Sequence, residues 1–201
     1  MYSDWHTWLG FVASAWMLVS FIPYIRSIVA GTTRPSAVLW FGWAFFFAIA
    51  TAAQASKGLD WSLAIPLLST INTTIIACVA LRMGRLVWTR ADRISIALGV
   101  FALVLWAITS EPLTAIIFSI AADLFVTLPT LVKTYDDPSS EPALLWVIYV
   151  IAIVAQIIAT RHYTIYNLLF PLYTVLGSVV ITALALRGRF IRREQTFRAR
   201  E

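Results

Sequence analysis

This sequence has little charge and almost no cysteine. Asp, Glu, Lys and Arg together make up 12% of its 201 residues, about half the share that is typical of soluble domains. The single cysteine, Cys78, excludes an intrachain disulfide and a disulfide-rich secreted scaffold. Hydrophobic residues make up 60% of the chain, with nine Trp and twelve Phe. This composition excludes a disordered chain and a nucleic-acid-binding domain, and it predicts an integral membrane protein.

Long apolar runs fill most of the chain. A helix needs about 20 apolar residues to cross a bilayer, whereas the strands of a membrane β-barrel are shorter and alternate in polarity. These runs are continuous, so they predict helices. The first run follows Asp4 with no preceding Lys or Arg, and we expect it to be retained rather than removed as a signal peptide. Seven segments are predicted, at 8–30, 37–55, 61–81, 94–110, 113–132, 142–160 and 164–186.

Lysine and arginine are unevenly divided between alternate loops. If the seven segments cross a membrane in turn, two basic residues, Lys57 and Arg161, fall on one side and thirteen on the other. Short cytoplasmic loops carry the excess of basic residues. We therefore expect the N-terminus outside and the C-terminus in the cytosol, and the short loops favour a bacterial plasma membrane. The thirteen are Arg26, Arg34, Arg82, Arg85, Arg90, Arg93, Lys133, Arg187, Arg189, Arg192, Arg193, Arg198 and Arg200.

The chain repeats itself at an offset of 105–106 residues. A unit of three helices reverses its direction across the membrane, so two such units share one orientation only if an extra helix joins them. The unmatched fourth segment supplies that helix. The predicted fold is therefore all-α, with seven transmembrane helices in a 3+1+3 arrangement. Two parallel repeats are joined by an inversion helix, and a solute site lies between the repeats.

The predicted boundaries are 1–86 for the first repeat, 87–111 for the linker and inversion helix, 112–189 for the second repeat and 190–201 for a basic cytosolic tail. The alternative role of this tail is contact with anionic lipid headgroups.

Three motifs carry the repeat. FIPYIRS aligns with TLPTLVK, AVLWFGW with ALLWVIY, and AIPLLST with LFPLYTV. These alignments place Pro23 on Pro129, Trp40 on Trp146, Trp43 on Tyr149 and Pro66 on Pro171.

This arrangement resembles the SWEET and PQ-loop family of small-solute transporters over nearly the whole chain. The local signature is an apolar residue and a proline, followed by a basic residue, near the cytosolic ends of the first and fifth helices. The Gln that follows this proline in the family is Tyr24 in one copy and Thr130 in the other. The resemblance implies that Asn72, at the middle of the third helix, hydrogen-bonds the solute. Gly177 and Ser178 occupy the level of the family's Asn in the seventh helix.

Small polar residues form stripes on segments 3 and 7. At about 100° per residue, each stripe occupies one side of its helix. Two interpretations remain open: the stripes pack helices against one another, or they face each other across a solute path. The repeat mates are Ser62 with Asn167, Pro66 with Pro171, Ser69 with Thr174 and Thr73 with Ser178.

Asp123 is the one acidic or basic residue well inside a predicted segment. An intramembrane carboxyl group is costly and by default functional. We interpret it as a proton-coupling group or a solute ligand; the alternative is a hydrogen bond that packs helices. Its repeat mate is Met17, so its role belongs to one half only. Ser119, Thr127 and Thr130 share its face.

Segments 2 and 6 each carry an aromatic face that ends in an amide. Such faces stack on ring-shaped solutes, but Trp and Tyr also gather at membrane interfaces. Trp43 and Tyr149 lie one turn deeper than Trp40 and Trp146, and we assign the deeper pair to the solute path. For the other pair both interpretations remain open. The faces comprise Trp40, Trp43, Phe47, Thr51 and Gln54 in segment 2, and Trp146, Tyr149, Ile153 and Gln156 in segment 6.

Four prolines lie inside predicted helices, where each frees a backbone carbonyl. Their matched positions suit hinges of a rocking motion; a static kink is the alternative. They are Pro23, Pro129, Pro66 and Pro171.

The preferred function is alternating-access transport of a small polar solute such as a sugar or another small metabolite, in which Asp123 either couples transport to protons or hydrogen-bonds the solute. A non-transporting receptor or scaffold on the same fold is the second hypothesis. A membrane enzyme is the third, and it needs a second titratable group at the depth of Asp123; the two histidines, His6 and His162, lie near the outer face. We therefore predict no catalytic residue, metal or cofactor, and the partners are the solute and the lipid bilayer, with a homo-oligomer left open. The predicted solute ligands are Asn72, Asp123, Trp43, Tyr149, Ser69, Thr73, Thr174 and Ser178.

Overall fold

The computed structural model describes residues 4–31, 35–84, 90–138 and 140–198. Over these ranges the chain is all-helical and contains no strand, which confirms the predicted all-α class. Arg34, Arg85 and Arg200 of the charge count lie outside the described residues. The helices are α1 (Trp5–Ser20), α2 (Ile22–Val29), α3 (Ala37–Ala55), α4 (Ala64–Arg82), α5 (Arg90–Thr109), α6 (Pro112–Asp136), α7 (Ala143–Ala159) and α8 (Ile165–Arg198), and a 3-10 turn, Trp61–Leu63, precedes α4.

Within the described ranges, five helical stretches are long and apolar enough to cross a membrane, by length and composition. They are Trp5–Val29, Ala37–Ala55, Trp61–Arg82, Pro112–Asp136 and Ile165–Arg187, and they correspond to five of the seven predicted segments. The other two segments correspond to shorter apolar stretches, Ile96–Thr109 in α5 and Ala143–Ala159 in α7. Large hydrophobic side chains such as Trp8, Phe11 and Leu176 are exposed on the outside of the bundle, as expected of a protein embedded in lipid.

The first predicted segment is interrupted at Phe21, between α1 and α2. Pro23 has no N–H to donate to the carbonyl of Val19, and the N–H of Phe21 turns to that carbonyl instead. In a regular helix the Phe21 N–H would serve the carbonyl of Met17. The Met17 carbonyl instead accepts from the Ser20 hydroxyl at 2.7 Å.

The last helix is longer than its predicted segment, since α8 continues to Arg198. The residues after 187 include no proline and many arginines, which are good helix formers. The backbone of most of the predicted basic tail is therefore helical.

The core is formed where α3, α4, α6, α7 and α8 meet. Extensive contacts join α3 with α4 and α6, α7 with α1 and α8, and α5 with α6. Bulky side chains without solvent exposure fill the interior, among them Phe46, Ile65, Ile76, Ile116, Ile153 and Phe170.

Polar contacts identify the two ends of the bundle. At one end, the Asp60 carboxylate accepts the backbone N–H groups of Arg161 and His162 at 2.9 and 2.8 Å. At the other, Glu141 receives Lys133 Nζ at 2.7 Å and Trp146 Nε1 at 3.2 Å. We call them the Asp60 end and the Glu141 end. Since α3 is followed by the loop that carries Asp60, and Lys133 lies in the last turn of α6, α3 runs toward the Asp60 end and α6 toward the Glu141 end.

Candidate functional site

A cavity of about 60 Å³ lies in the bundle interior, between the middle of α6 and the Glu141 end. Five helices and the residue at the α1–α2 break contribute to its wall. The lining residues are Phe21, Trp40, Trp43, Phe47, Thr73, Asp123, Thr127, Leu145, Trp146, Tyr149, Tyr173, Thr174, Gly177, Ser178 and Ile181.

The aromatic faces predicted on segments 2 and 6 meet at this cavity. Trp40 and Trp43 of α3 pack edge to face with ring centres 4.8 Å apart. Tyr149 of α7 contacts Phe21 edge to face at 5.5 Å and Trp146 at 6.2 Å. Offset and edge-to-face pairs of this kind stabilise a rigid wall. The deeper pair, Trp43 and Tyr149, and the shallower pair, Trp40 and Trp146, therefore line the same cavity.

Asp123 supplies the cavity with its one carboxyl group, from the middle of α6. The side chain is buried. Its Oδ2 atom accepts hydrogen bonds from the Thr127 hydroxyl at 3.1 Å and from the Tyr173 hydroxyl. Its Oδ1 atom has no hydrogen-bond partner among the described residues. One carboxylate oxygen is thus held in place while the other is left for a ligand.

Tyr149 is held by the stripe of α4. Its hydroxyl lies 2.7 Å from the hydroxyl of Ser69, and both groups are buried. Ser69 is not part of the cavity wall. Its contact with the cavity therefore runs through Tyr149.

Asn72 does not line the cavity. Its Nδ2 atom donates a hydrogen bond of 3.1 Å to the Met17 carbonyl, the group that loses its helical donor at Phe21. The structure therefore places Asn72 as a partner of the helix break, although the sequence predicts it as a solute ligand.

Thr73, Thr174 and Ser178, from the two polar stripes, line the cavity. The Thr73 hydroxyl donates to the Ser69 carbonyl at 2.6 Å, and the Thr174 hydroxyl donates to the Phe170 carbonyl at 2.9 Å. These threonines bond their own helices rather than each other. They leave acceptor lone pairs on the cavity side.

The four prolines have different settings. Pro23 follows the break at Phe21, and Pro171 lies inside α8. Pro66 occupies the third position of α4, where its missing N–H removes no bond within that helix. Pro129 lies in α6, which is continuous from Pro112 to Asp136. The helix is thus interrupted next to Pro23 but is continuous at its repeat mate, Pro129.

Tyr173 was not singled out by the sequence. It lies beside the polar stripe of segment 7 rather than in it, about 100° from Thr174, and its long side chain reaches Asp123. The available signal in the sequence was that Tyr173 carries a hydroxyl group inside an apolar helix, in a chain where Asp123 is the one carboxyl group well inside a predicted segment. Phe21 was likewise missed, because its place on the wall depends on the helix break.

The arrangement can bind a small group that offers a hydrogen-bond donor. The free Oδ1 of Asp123 is an acceptor, the surrounding hydroxyls are donors or acceptors, and the aromatic wall excludes bulk water.

Comparisons with known proteins add no relative. No protein-family model, no curated protein and no solved structure matches the chain.

Proposed function

We propose that this protein is a membrane transporter of a small polar solute that works by alternating access, as the resemblance to the SWEET and PQ-loop family implies. One observation carries the proposal. A buried carboxyl group with an unpartnered oxygen lies on the wall of an interior cavity. Such a group is costly inside a membrane unless it serves a ligand or a proton.

The helix contacts support the 3+1+3 arrangement. In that arrangement α1 and α2 correspond to α6, α3 to α7 and α4 to α8. The contact of α1 with α7 then corresponds to the contact of α6 with α3, and the α3–α4 contact corresponds to the α7–α8 contact; all four are extensive. The helix α5 packs mainly on α6, as a joining helix outside the repeats would. The cavity then lies between the two repeats, where parallel-repeat transporters bind solutes.

The charge asymmetry supports an orientation. Lys133, Arg82 at the end of α4 and Arg90 at the start of α5 are on the basic side, so the positive-inside rule assigns this end to the cytosol. The Asp60 end then lies outside, in a plasma membrane that we take to be bacterial. With this orientation the cavity occupies the cytosolic half of the bundle.

The size of the cavity limits what it holds in this conformation. At about 60 Å³ it is well below the roughly 300–1,000 Å³ of ordinary ligand pockets. A sugar does not fit without movement of the wall. Transport therefore requires a second conformation, with Phe21 and the α3 tryptophans displaced.

Asp123 has two roles in this proposal. Its free oxygen accepts a hydrogen bond from the solute, and its carboxyl group takes up and releases the coupling proton. Trp43 and Tyr149 provide the aromatic surface, and Thr73, Thr174 and Ser178 provide hydroxyl groups. Ser69 and Asn72 act behind the wall, by positioning Tyr149 and the α1–α2 break.

A solute panel tests the proposal. Sugars, amino acids, nucleosides and vitamins are added to detergent-purified protein at two pH values, and the unfolding midpoint is measured. A ligand at ten times its Kd contributes about 1.4 kcal/mol, which raises the midpoint by a few degrees. We expect one solute class to produce a shift that depends on pH in the wild type and no longer depends on pH in Asp123→Asn. Thr134→Val, a buried change on the same helix away from the cavity, should keep the pH dependence.

A receptor or scaffold on the same fold is the second candidate, and the small cavity favours it. The threonines that bond their own helices also fit a packed interface. A panel without any shift, together with an interior that stays closed to water-soluble thiol reagents at a cysteine introduced at Gly177, would support this candidate and contradict transport.

A further inference from the structure

The half of the interior between Asp123 and the Asp60 end contains buried polar groups that the protein leaves unsatisfied. Both amide atoms of Gln54, the hydroxyls of Ser62 and Ser119 and the Oε1 atom of Gln156 have no hydrogen-bond partner among the described residues. All four residues are at most 1% exposed. A buried polar group without a partner costs roughly 1–3 kcal/mol, and native interiors contain few of them. Among the described residues, the remaining atoms of this kind are Oδ1 of Asp123 itself and Nε of Arg187 near the Glu141 end. Most of them therefore lie in the half toward Asp60, which favours an occupant other than protein.

Gln54 and Ser119 continue the cavity wall toward the Asp60 end. Gln54 follows Phe47 by two turns of α3 and shares its face, about 10 Å closer to that end. Ser119 precedes Asp123 by one turn of α6, about 6 Å closer to the same end. Phe47 and Asp123 both line the cavity, and α3 packs against α6. The two unsatisfied residues therefore face the α3–α6 interface beyond Asp123.

On α6, the Thr127 and Thr134 hydroxyls on the other side of Asp123 have hydrogen-bond partners. The Thr127 hydroxyl donates to Asp123, and the Thr134 hydroxyl donates to the Thr130 carbonyl at 2.7 Å. Along α6, the unsatisfied atoms thus begin at Oδ1 of Asp123 and extend toward the Asp60 end only. This direction is opposite to that of the cavity.

The surroundings favour a neutral occupant. The titratable groups that face Asp123 are Tyr149 of α7 and Tyr173 of α8. The helix α3 contains no acidic or basic residue, and α5 contains none from Ile94 to Thr109. A bound cation would face a single carboxylate here. Water is the smallest molecule with both donors and acceptors, and it satisfies a carboxamide and a hydroxyl together.

We propose that water from the Asp60 end bridges Gln54 and Ser119 to the free oxygen of Asp123 and provides a proton route separate from the solute cavity. A hydronium ion in this route gives one proton to Oδ1 and becomes water, and the reverse step releases the proton. The inference deepens the proposed function and rests on Asp123 as the coupling group. The solute reaches Oδ1 from the cavity side and the proton reaches it from the Asp60 side, so one carboxyl oxygen serves both in turn.

A labelling experiment tests the route without any solute. Dicyclohexylcarbodiimide crosses lipid and reacts with protonated buried carboxyl groups, and mass spectrometry measures the labelled fraction of Asp123. The protein is reconstituted in vesicles that are sorted by access to a C-terminal tag, since α8 ends at the Glu141 end. The pH is then changed on one side at a time. The variants are the wild type, Gln54→Leu with Ser119→Ala, and Thr134→Val as the matched control.

We expect labelling in the wild type and in Thr134→Val to rise several-fold when the Asp60 side is acidified, with little response to the Glu141 side. In the double variant the response to the Asp60 side should be lost, while thermal unfolding shows that the variant is folded. Labelling that follows the Glu141 side, or a double variant that responds like the wild type, would overturn the route. Either result leaves the solute panel unaffected, so a failed route and a failed transporter proposal are distinguishable.

Discussion

The carboxamide of Asn72 in α4 donates a hydrogen bond to the backbone carbonyl of Met17 in α1, over a distance of 3.1 Å. The carbonyl is one turn before Phe21, where the N–H that would serve it is redirected to Val19. Asn72 thus connects the middle of α4 to the break between α1 and α2. Its side chain replaces a backbone hydrogen bond that the break removes.

Replacing Asn72 with Ala should lower stability. The Met17 carbonyl keeps the Ser20 hydroxyl as a donor, so the variant loses one hydrogen bond without leaving the carbonyl unsatisfied, at a cost of about 0.5–1.5 kcal/mol. Thermal unfolding in detergent measures the effect. Thr74→Val is the control, since the Thr74 hydroxyl bonds its own helix at Thr70 and its loss should change little. If Asn72 also binds solute, the variant will in addition lose the solute-dependent shift; we expect the shift to remain.

Filling the cavity from Gly177 should prevent solute binding. A Cβ atom at this position meets no atom within 4 Å, so a larger side chain extends into the cavity that Gly177 lines. Gly177→Leu should abolish the solute-dependent rise in the unfolding midpoint without unfolding the protein. Gly177→Ala is the size control and should retain most of the rise. Equal binding by the two variants would place the solute elsewhere.

Substitution of Gly10 should destabilise the fold. A Cβ atom built on Gly10 overlaps the ring of Trp61. Because Gly10 has no side chain, α1 can lie close to the 3-10 turn that precedes α4, as small residues allow in membrane helices. Gly10→Ala should cost about 1–3 kcal/mol through overpacking, measured by thermal unfolding. Gly177→Ala, which meets open space and gains about 0.5–1 kcal/mol of helix propensity, should have the opposite sign. A stabilised Gly10→Ala variant would contradict the close contact.

Acid should weaken the start of α6. Two hydrogen bonds to its carboxylate hold the pKa of Glu111 below its usual value. The larger effect comes from the backbone N–H of Leu113 and the smaller one from the hydroxyl of Tyr166. A lowered pKa means that the carboxylate stabilises the fold above the unfolded pKa of about 4.3, and that this contribution is lost as the pH falls through the lower folded pKa. Wild type should therefore be more stable than Glu111→Gln at pH 7, with the difference disappearing in acid. A difference that stays constant with pH would exclude this origin.

The sequence predicted the helices and the inward faces better than the individual partners. Helical periodicity was sufficient to group Asp123 with Thr127 and to place Trp43 and Tyr149 on interior faces, because burial of a face is a property of one helix. The partner of Asn72 could not be predicted in this way. It depends on which backbone carbonyl lacks a donor, and that follows from the redirection of one N–H at Phe21. Tyr173 was missed for a related reason. Its Cα atom lies outside the polar stripe of the seventh segment, but its long side chain reaches Asp123.

Phe21 closes α1, opens α2 and lines the cavity. Its ring contacts Tyr149 at 5.5 Å and Trp40 at 6.4 Å. Phe21 lies at the point where α1 and α2 meet and also lines the cavity. A change in the angle between α1 and α2 therefore moves its ring along the cavity wall. A bend of a few degrees at this residue would widen or narrow the space beside Asp123 while the other helices keep their positions.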